Sequence, residues 1–348
     1  MTWGRLSFVF AFGLAACATT PAPAPAPASE PAQVTHAAPQ PSSDASLEDW
    51  PELALVGEGR GPSLYLGAES SAPPVGYVSP GVVVEIAGPP DRGRLPVRIR
   101  SGMRVRGYFP VHRLDAVVLQ RGRIRDTPVY VGPGDRVRVL GPAGGGRTHV
   151  SASPKLVSAE GWVVSLPTFE GSYPAIGLGA EAPDGADAVP GTPVILRGDQ
   201  PIPVYDAPGG RLLATLPAFA TFPGYEVRRD SGHSAVLLGE GPYLAGYVTV
   251  VPAPAPAPSS KREAPSFETH DVPRRIRDDA DGKPLHRVAA GTRVTFDGVT
   301  IASVDRPGWA TEIRRYAETG EVDVFVAVDD AVAVRGMVPA DALTPAGP

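Results

Sequence analysis

Proline and glycine limit every element this chain can form. There are 42 prolines and 40 glycines in 348 residues, and past the first sixteen the longest stretch free of both is Glu321 to Arg335, fifteen residues. Proline removes a backbone donor and glycine raises the entropic cost of ordering, so long helices have nowhere to grow. That stretch alternates through Val322, Val324, Val326 and Val328, which is the period of a half-buried strand. Short strands joined by tight turns follow, and the predicted fold class is all-β.

The first sixteen residues read differently. Arg5 precedes an apolar run from Leu6 to Leu14, and the small residues Ala15 and Ala16 lead to Cys17. This is a secretory signal pattern. Nine residues of helix span roughly 14 Å against ~30 Å of bilayer hydrocarbon, too short for a permanent crossing. Leu14-Ala15-Ala16-Cys17 resembles the lipobox of bacterial lipoproteins, in which the cysteine thiol is alkylated by a diacylglycerol and the new N-terminus is acylated. The resemblance implies a signal peptide over 1–16 and a palmitate-type anchor at Cys17. It also implies residence at the cell outer membrane facing the periplasm, with the cell surface as a second possibility, because Ala18 stands where an aspartate would favour inner-membrane retention. A discarded, incidental cysteine is the plain alternative. Cys17 is the only cysteine, so no intramolecular disulfide can form and a lipidated thiol leaves none for catalysis.

Linkers divide the rest. A stalk over 17–50, with PAPAPAPA at 21–28, cannot bury a core and favours polyproline II. A Gly/Ala/Asp-rich connector over 171–192 and a Pro/Ala-rich linker over 253–266 leave candidate modules at 51–117, 118–170, 193–252 and 267–348. Within them a spacing recurs: Val75, Val78, Gly81 and Val84; Pro128, Val131, Gly134 and Val137; Leu213, Leu216, Phe219 and Phe222; Leu285, Val288, Gly291 and Val294. Each set is followed by a glycine and a large apolar residue: Gly107-Tyr108, Gly161-Trp162, Gly246-Tyr247 and Gly336-Met337. The separations are 26, 27, 27 and 45 residues, which reads as a common length with an insertion in the fourth copy holding Trp309 and Tyr316. Gly81 and Gly291 suit turns needing positive φ, and a glycine before an aromatic lets backbones approach where a small barrel closes.

This pattern resembles the bacterial SH3-like domain, a five-stranded barrel ending in a Gly-aromatic-Val strand. The resemblance implies tandem small SH3-like barrels joined by Pro/Ala-rich linkers. It also makes Tyr65, Tyr108, Trp162, Tyr205 and Tyr247 candidate groove aromatics, with service in the core as the alternative role in so small a domain.

Several chemistries are unsupported. The chain has no G-x-x-x-x-G-K-[ST] and no G-x-S-x-G, and its six histidines never fall at metal-ligand spacing, so no catalytic residue, metal or cofactor is expected. GPAGGG at 141–146 reads as a hairpin loop. Asp230-Ser231-Gly232-His233 is a turn whose neighbours cannot form a triad with one another. Asp279, Asp281 and Gly282 imitate a calcium loop, but its first and twelfth ligand positions fall on Arg277 and Val288, so it reads as a turn.

The net charge of −5 argues against a nucleic-acid partner, yet Arg92 to Arg125 hold ten arginines and one acid, Asp115. Arg98, Arg100, Arg104 and Arg106 fall two apart, hence on one face of adjacent strands. They form either a solvated sheet face or a candidate anion-binding face for lipid phosphates or peptidoglycan carboxylates. The expected function is a non-catalytic, lipid-anchored envelope protein that contacts peptidoglycan or an envelope protein. An envelope hydrolase with its site assembled across modules, and a structural spacer, are the alternatives.

Overall fold

The first strand of the folded region, β1 (Leu53–Val56), buries Ala54, Leu55 and Val56 and exposes Leu53. The computed structural model describes residues 46–58, 63–184, 189–230, 232–249, 252–255, 272–279 and 283–346. The signal segment, Cys17, most of the stalk, most of the 253–266 linker, Ser231, Asp281 and Gly282 lie outside the described residues.

After β1 come β2 (Ser63–Tyr65), β3 (Pro74–Val78), β4 (Val83–Ile86), β5 (Arg94–Arg100), β6 (Met103–Pro110) and β7 (Leu114–Val118). The antiparallel pairings β1–β4, β4–β5, β5–β6, β6–β2, β2–β3 and β1–β7 roll them into a small barrel. β7 then continues as the first strand of a second barrel, pairing with β10 (Arg136–Pro142) and β15 (Leu178–Gly179). The second barrel also contains β8 (Gly122–Arg123), β9 (Val129–Val131), β11 (Arg147–Ala152), the side hairpin β12 (Leu156–Val157) and β13 (Val163–Val164), and β14 (Phe169–Pro174).

The third barrel runs through β16 (Thr192–Leu196), β17 (Ile202–Tyr205), β18 (Leu212–Leu216), β19 (Phe222–Asp230), β20 (His233–Leu238), β21 (Tyr243–Val248) and β22 (Ala253–Pro254). A short helix, α1 (Arg274–Asp279), precedes the fourth: β23 (Leu285–Val288), β24 (Arg293–Phe296), β25 (Val299–Val304), β26 (Gly308–Tyr316), β27 (Glu321–Ala327), β28 (Val332–Pro339) and β29 (Leu343–Pro345). In the first, third and fourth barrels the third strand pairs with the second, the second with the sixth, the sixth with the fifth, the fifth with the fourth, and the fourth with the first, which also pairs with the seventh; the second barrel follows the same order except that its second and sixth strands meet only through the single bridge Arg125↔Ser172 just past β8. The fold is all-β and built from small barrels, as the sequence predicts.

The pairings correct the repeat in three places. Gly81, Gly134 and Phe219 do share a position after the third strand; their φ angles are +81°, +92° and +62°. Each N–H there returns to a carbonyl near the end of the first strand: Val56 at 2.7 Å, Val118 at 2.9 Å and Gly198 at 2.8 Å. Gly291 instead follows the first strand of its barrel and donates to Val304 O at 2.7 Å. Trp309 and Tyr316 consequently lie on the regular fourth strand β26, and the fourth copy carries no insertion there.

The insertion belongs to the second copy, where residues 153–168 with β12 and β13 separate β11 from β14. Gly161-Trp162 is the tip of that side hairpin, and the position of Gly107, Gly246 and Gly336 is filled by Gly171. The reason is local. At Gly107, Gly336 and Gly171 the carbonyl oxygens of Tyr65, Thr295 and Arg125 approach so closely that any Cβ would collide with them, and at Gly246 a Cβ would meet the Val204 side chain and crowd the Tyr205 carbonyl. Two linker boundaries move as well. Gly171–Gly179, expected in the connector, closes the second barrel, and Ala253–Pro254, expected in the linker, pairs with Ile195 and Val194. Proline is tolerated there because β22 is an edge strand.

The barrels associate by strand pairing. In the first and fourth, β3 pairs with β28 (Val78↔Val332, Tyr77↔Ala333, Gly76↔Val334) and β25 pairs with β6 (Ala302↔Val105, Ser303↔Arg104, Val304↔Met103). The third strand of each therefore joins the sixth strand of the other. Between the second and third barrels one such pairing forms, β9 with β21 (Tyr130↔Tyr243, Val129↔Leu244). Residues of the first, second and fourth barrels share one apolar core. The third has its own, into which the side hairpin sends Leu156, with Val164 and Leu166 packed alongside.

Candidate binding site

The arginine face assembles as the alternation predicts. Arg98 and Arg100 on β5 lie directly across from Arg106 and Arg104 on β6, all exposed, while Val97, Ile99 and Val105 between them point into the core. The face is not bare. Glu85 on β4 sits 2.9 Å from Arg98 and 3.5 Å from Arg100, and Asp305 of the fourth barrel bonds Arg104 at 2.9 Å. Asp115, the lone acid of the arginine-rich stretch, pairs with Arg138. Three of the four guanidinium groups thus have a carboxylate partner, supplied by segments outside Arg92–Arg125.

The candidate aromatics separate into two pairs and one outlier. Tyr65 and Tyr108 face each other where the second and sixth strands meet, and Tyr205 and Tyr247 do the same in the third barrel. All four are half-buried. In the first barrel the guanidinium of Arg94 covers the Tyr65 ring at 3.7 Å and is held there by donating to Gly67 O at 3.0 Å. In the third barrel Tyr247 lines a cleft of about 240 Å³ together with Asp206, Val227 and, from the second barrel, Arg123 and Tyr130. Trp162 joins neither pair; it lies on the side hairpin with 63% of its surface exposed.

A larger cleft of about 730 Å³ lies where the second barrel meets the third, lined by Asp135, Arg136, Arg138, Lys155 and Glu240 among others. Asp135 is held by the turn before β10, where its Oδ2 accepts from Gly132 N–H at 2.7 Å. Burial pushes its carboxyl up to about 6 against the opposing pull of that hydrogen bond. Burial also pushes the Tyr173 and Tyr243 phenols up to about 12, with the charge of Asp135 adding to both. Among the groups that line the cleft, the Asp135 carboxyl is raised towards neutrality.

Sequence reasoning missed Asp135. The Gly132-Pro133-Gly134-Asp135 string marks a turn, but the Gly241 backbone packed against the carboxyl comes from the third barrel. No local spacing encodes that contact. His286, isolated from the other histidines in the sequence, is buried on β23 and bonds Glu312 at 2.9 Å. No family model, no curated protein and no solved structure matches the chain.

Proposed function

We propose that this chain is a lipid-anchored envelope protein, tethered through Cys17 at the outer membrane and facing the periplasm. It binds peptidoglycan or an envelope protein without catalysing a reaction. The Cys17 motif, which resembles the lipobox, and the barrels, which resemble the bacterial SH3-like domain, support the location and the class of ligand. The observation that carries the binding reading is the cleft beside Tyr247, where an aromatic ring, the Asp206 carboxylate and the Arg123 guanidinium line one concave surface. A π-face flanked by one acid and one base fits a peptide segment bearing both amine and carboxylate groups.

The experiment is pelleting of the purified chain with isolated peptidoglycan. Wild type is expected to co-sediment, and Tyr247→Ala to weaken binding about ten-fold, the cost of losing one well-packed aromatic contact. Absence of the wild-type protein from the pellet removes peptidoglycan as the ligand, and cross-linking in cells followed by pulldown then tests the envelope-protein arm.

A hydrolase assembled across barrels is a second reading, favoured by a single feature: the Asp135 carboxyl raised to about 6 within the larger cleft. It requires soluble fragments to be released from peptidoglycan by wild type and not by Asp135→Asn.

A further inference from the structure

In the larger cleft between the second and third barrels, opposite charges share one opening without pairing. Asp135 and Arg136 stand at the start of β10, Lys155 belongs to the segment inserted before β14, and Glu240 lies in the turn between β20 and β21. Two acids and two bases thus border the same space. Among the described residues none of these four takes part in an ion pair, whereas Asp115 and Arg138 on the same walls pair with each other. The walls hold the four groups apart.

Asp135 records that separation in its own environment. Burial raises its carboxyl, and no cation stands close enough to offset the effect. Its Oδ2 accepts from Gly132 N–H at 2.7 Å, and its Oδ1 lies against the third barrel, where a Cβ on Gly241 would be 2.1 Å away. Glu240 directly precedes that glycine and adds a second acid on this side. An ionised carboxylate has about four acceptor sites, so one backbone amide leaves Asp135 open to a further donor. An ammonium group supplies donors and the balancing charge together.

Arg136 and Lys155 are both exposed and unpaired, and they offer a carboxylate the complementary end of the cleft. The hydroxyls of Ser153 and Thr168, bonded to each other at 2.8 Å, also line it and keep acceptor sites for amide groups. Among the described residues the lining contains no aromatic ring, unlike the Tyr247 cleft, so charge rather than stacking selects what enters. Its volume of about 730 Å³ falls in the roughly 300–1,000 Å³ range of small-ligand sites.

We propose that this cleft binds a short zwitterionic peptide, with an ammonium group of the peptide on Asp135 and its carboxylate on Arg136 and Lys155. The site is separate from the Tyr247 cleft, and its failure would leave the reading built on that cleft standing.

Isothermal titration calorimetry tests this on the chain from Ala18 onward, which contains the whole compact unit Pro41–Pro348 and lacks Cys17. The probes are Gly-Gly-Lys, its C-terminal amide, and acetyl-Gly-Gly-Gly, at low salt. At pH 7.5 Gly-Gly-Lys is expected to bind; the amide, which lacks the carboxylate, should bind about three-fold more weakly and the acetylated peptide, which lacks an ammonium group, about ten-fold. Asp135→Asn should weaken Gly-Gly-Lys about ten-fold and leave acetyl-Gly-Gly-Gly unchanged. Arg136→Gln with Lys155→Gln should reduce Gly-Gly-Lys to the level of its amide. Lowering the pH to 5 should weaken wild type about ten-fold, as Asp135 takes up a proton, and should not affect Asp135→Asn. The phenols of Tyr173 on β14 and Tyr243 on β21, pushed up to about 12, stay neutral across that window, and the other charged groups of the cleft, Asp115, Arg136, Arg138, Lys155 and Glu240, are common to both proteins. No heat with Gly-Gly-Lys overturns the proposal, as does equal affinity for the three peptides. Wild-type affinity in Asp135→Asn also overturns it, and loss of binding in Tyr247→Ala would then assign the peptide to the other cleft.

Discussion

Two seams join the four barrels, and they differ in completeness. Between the first and fourth barrels both reciprocal pairings form, β3 with β28 and β25 with β6. Between the second and third only β9 with β21 forms. On the other side, β18 is the end strand of its sheet, and β13 of the side hairpin lies near it without joining its ladder. The side hairpin compensates by sending Leu156 into the third core. The first seam fuses two barrels into one core; the second leaves two cores, a cleft of about 730 Å³ and a displaced hairpin. The first seam is the more completely paired and has its own cleft of about 530 Å³ lined by Ser79, Pro80, Arg274, Arg275 and Asp330, while the larger cleft and the one beside Tyr247 lie at the second.

Breaking the complete seam should have the largest effect. Gly76 lies where β3 meets β28, and a Cβ there would sit 2.6 Å from Ala333 O and 3.2 Å from the Val334 Cα. Gly76→Val is expected to cost about 4 kcal/mol, because the obstruction is backbone on a paired strand and cannot rotate away. Urea unfolding followed by hydrogen exchange checks this: protection should fall in the first and fourth barrels together and persist in the third. Equal loss in all four would mean that the two seams are one cooperative unit.

The seams also divide what the sequence reveals from what it hides. The alternation in β27 and the arginine pairs of β5 and β6 are local properties, and both appear as read. The turn shared by Gly81, Gly134 and Phe219 was legible because residue and spacing agree. Gly291 and Gly161 were misassigned because positive-φ glycines end many hairpins of these barrels, so one glycine at a suitable distance resembles another. The discriminating signal was available: Gly107, Gly171 and Gly336 are each followed three residues later by proline and seven residues later by leucine. The seams were not legible at all. Val78 meets Val332 and Tyr130 meets Tyr243 across intervals that no periodicity spans, and Asp135 becomes a half-buried carboxyl only with the third barrel packed against it. The side chains that respond to assembly are therefore the ones local reading omits.

Asp135 allows the incomplete seam to be measured by pH. Its folded pKa is raised from 3.8 to about 6, so between those values the folded state holds the proton more tightly than the unfolded chain. Stability from this group is full below pH 3.8, falls as pH rises through that window, and stays lower above it. Asp135→Asn removes the titration and keeps an acceptor for Gly132 N–H. It should stabilise the protein at pH 7.5 by about 1 kcal/mol, less than the shift in a sealed site would give because the carboxyl opens onto the cleft, and leave pH 3.5 nearly unchanged. Urea midpoints at the two pH values test the sign. Equal gains at both would mean that the carboxyl is fully hydrated and the cleft wider than the contact with Gly241 implies.

The smallest effect on stability is expected at the ion pair that crosses the complete seam. Arg104 and Asp305 are both well exposed, with side chains 67% and 41% accessible, and a solvated pair of this kind contributes at most about 0.5 kcal/mol. Asp305→Asn should leave the urea midpoint almost unmoved, since the ladder from Val105 to Ala302 and the buried Val304 hold the seam. Its consequence is electrostatic: the charge balancing Arg104 disappears, and the arginine face gains one unit of net positive charge. If that face meets anions, Asp305→Asn should pellet more strongly with anionic vesicles at low salt, an advantage lost at high salt as screening grows. Replacing Arg98, Arg100, Arg104 and Arg106 with serine should reverse it. Pelleting that neither change moves would reduce these arginines to a solvated edge already answered by Glu85 and Asp305, and would leave the second seam as the molecule's binding side.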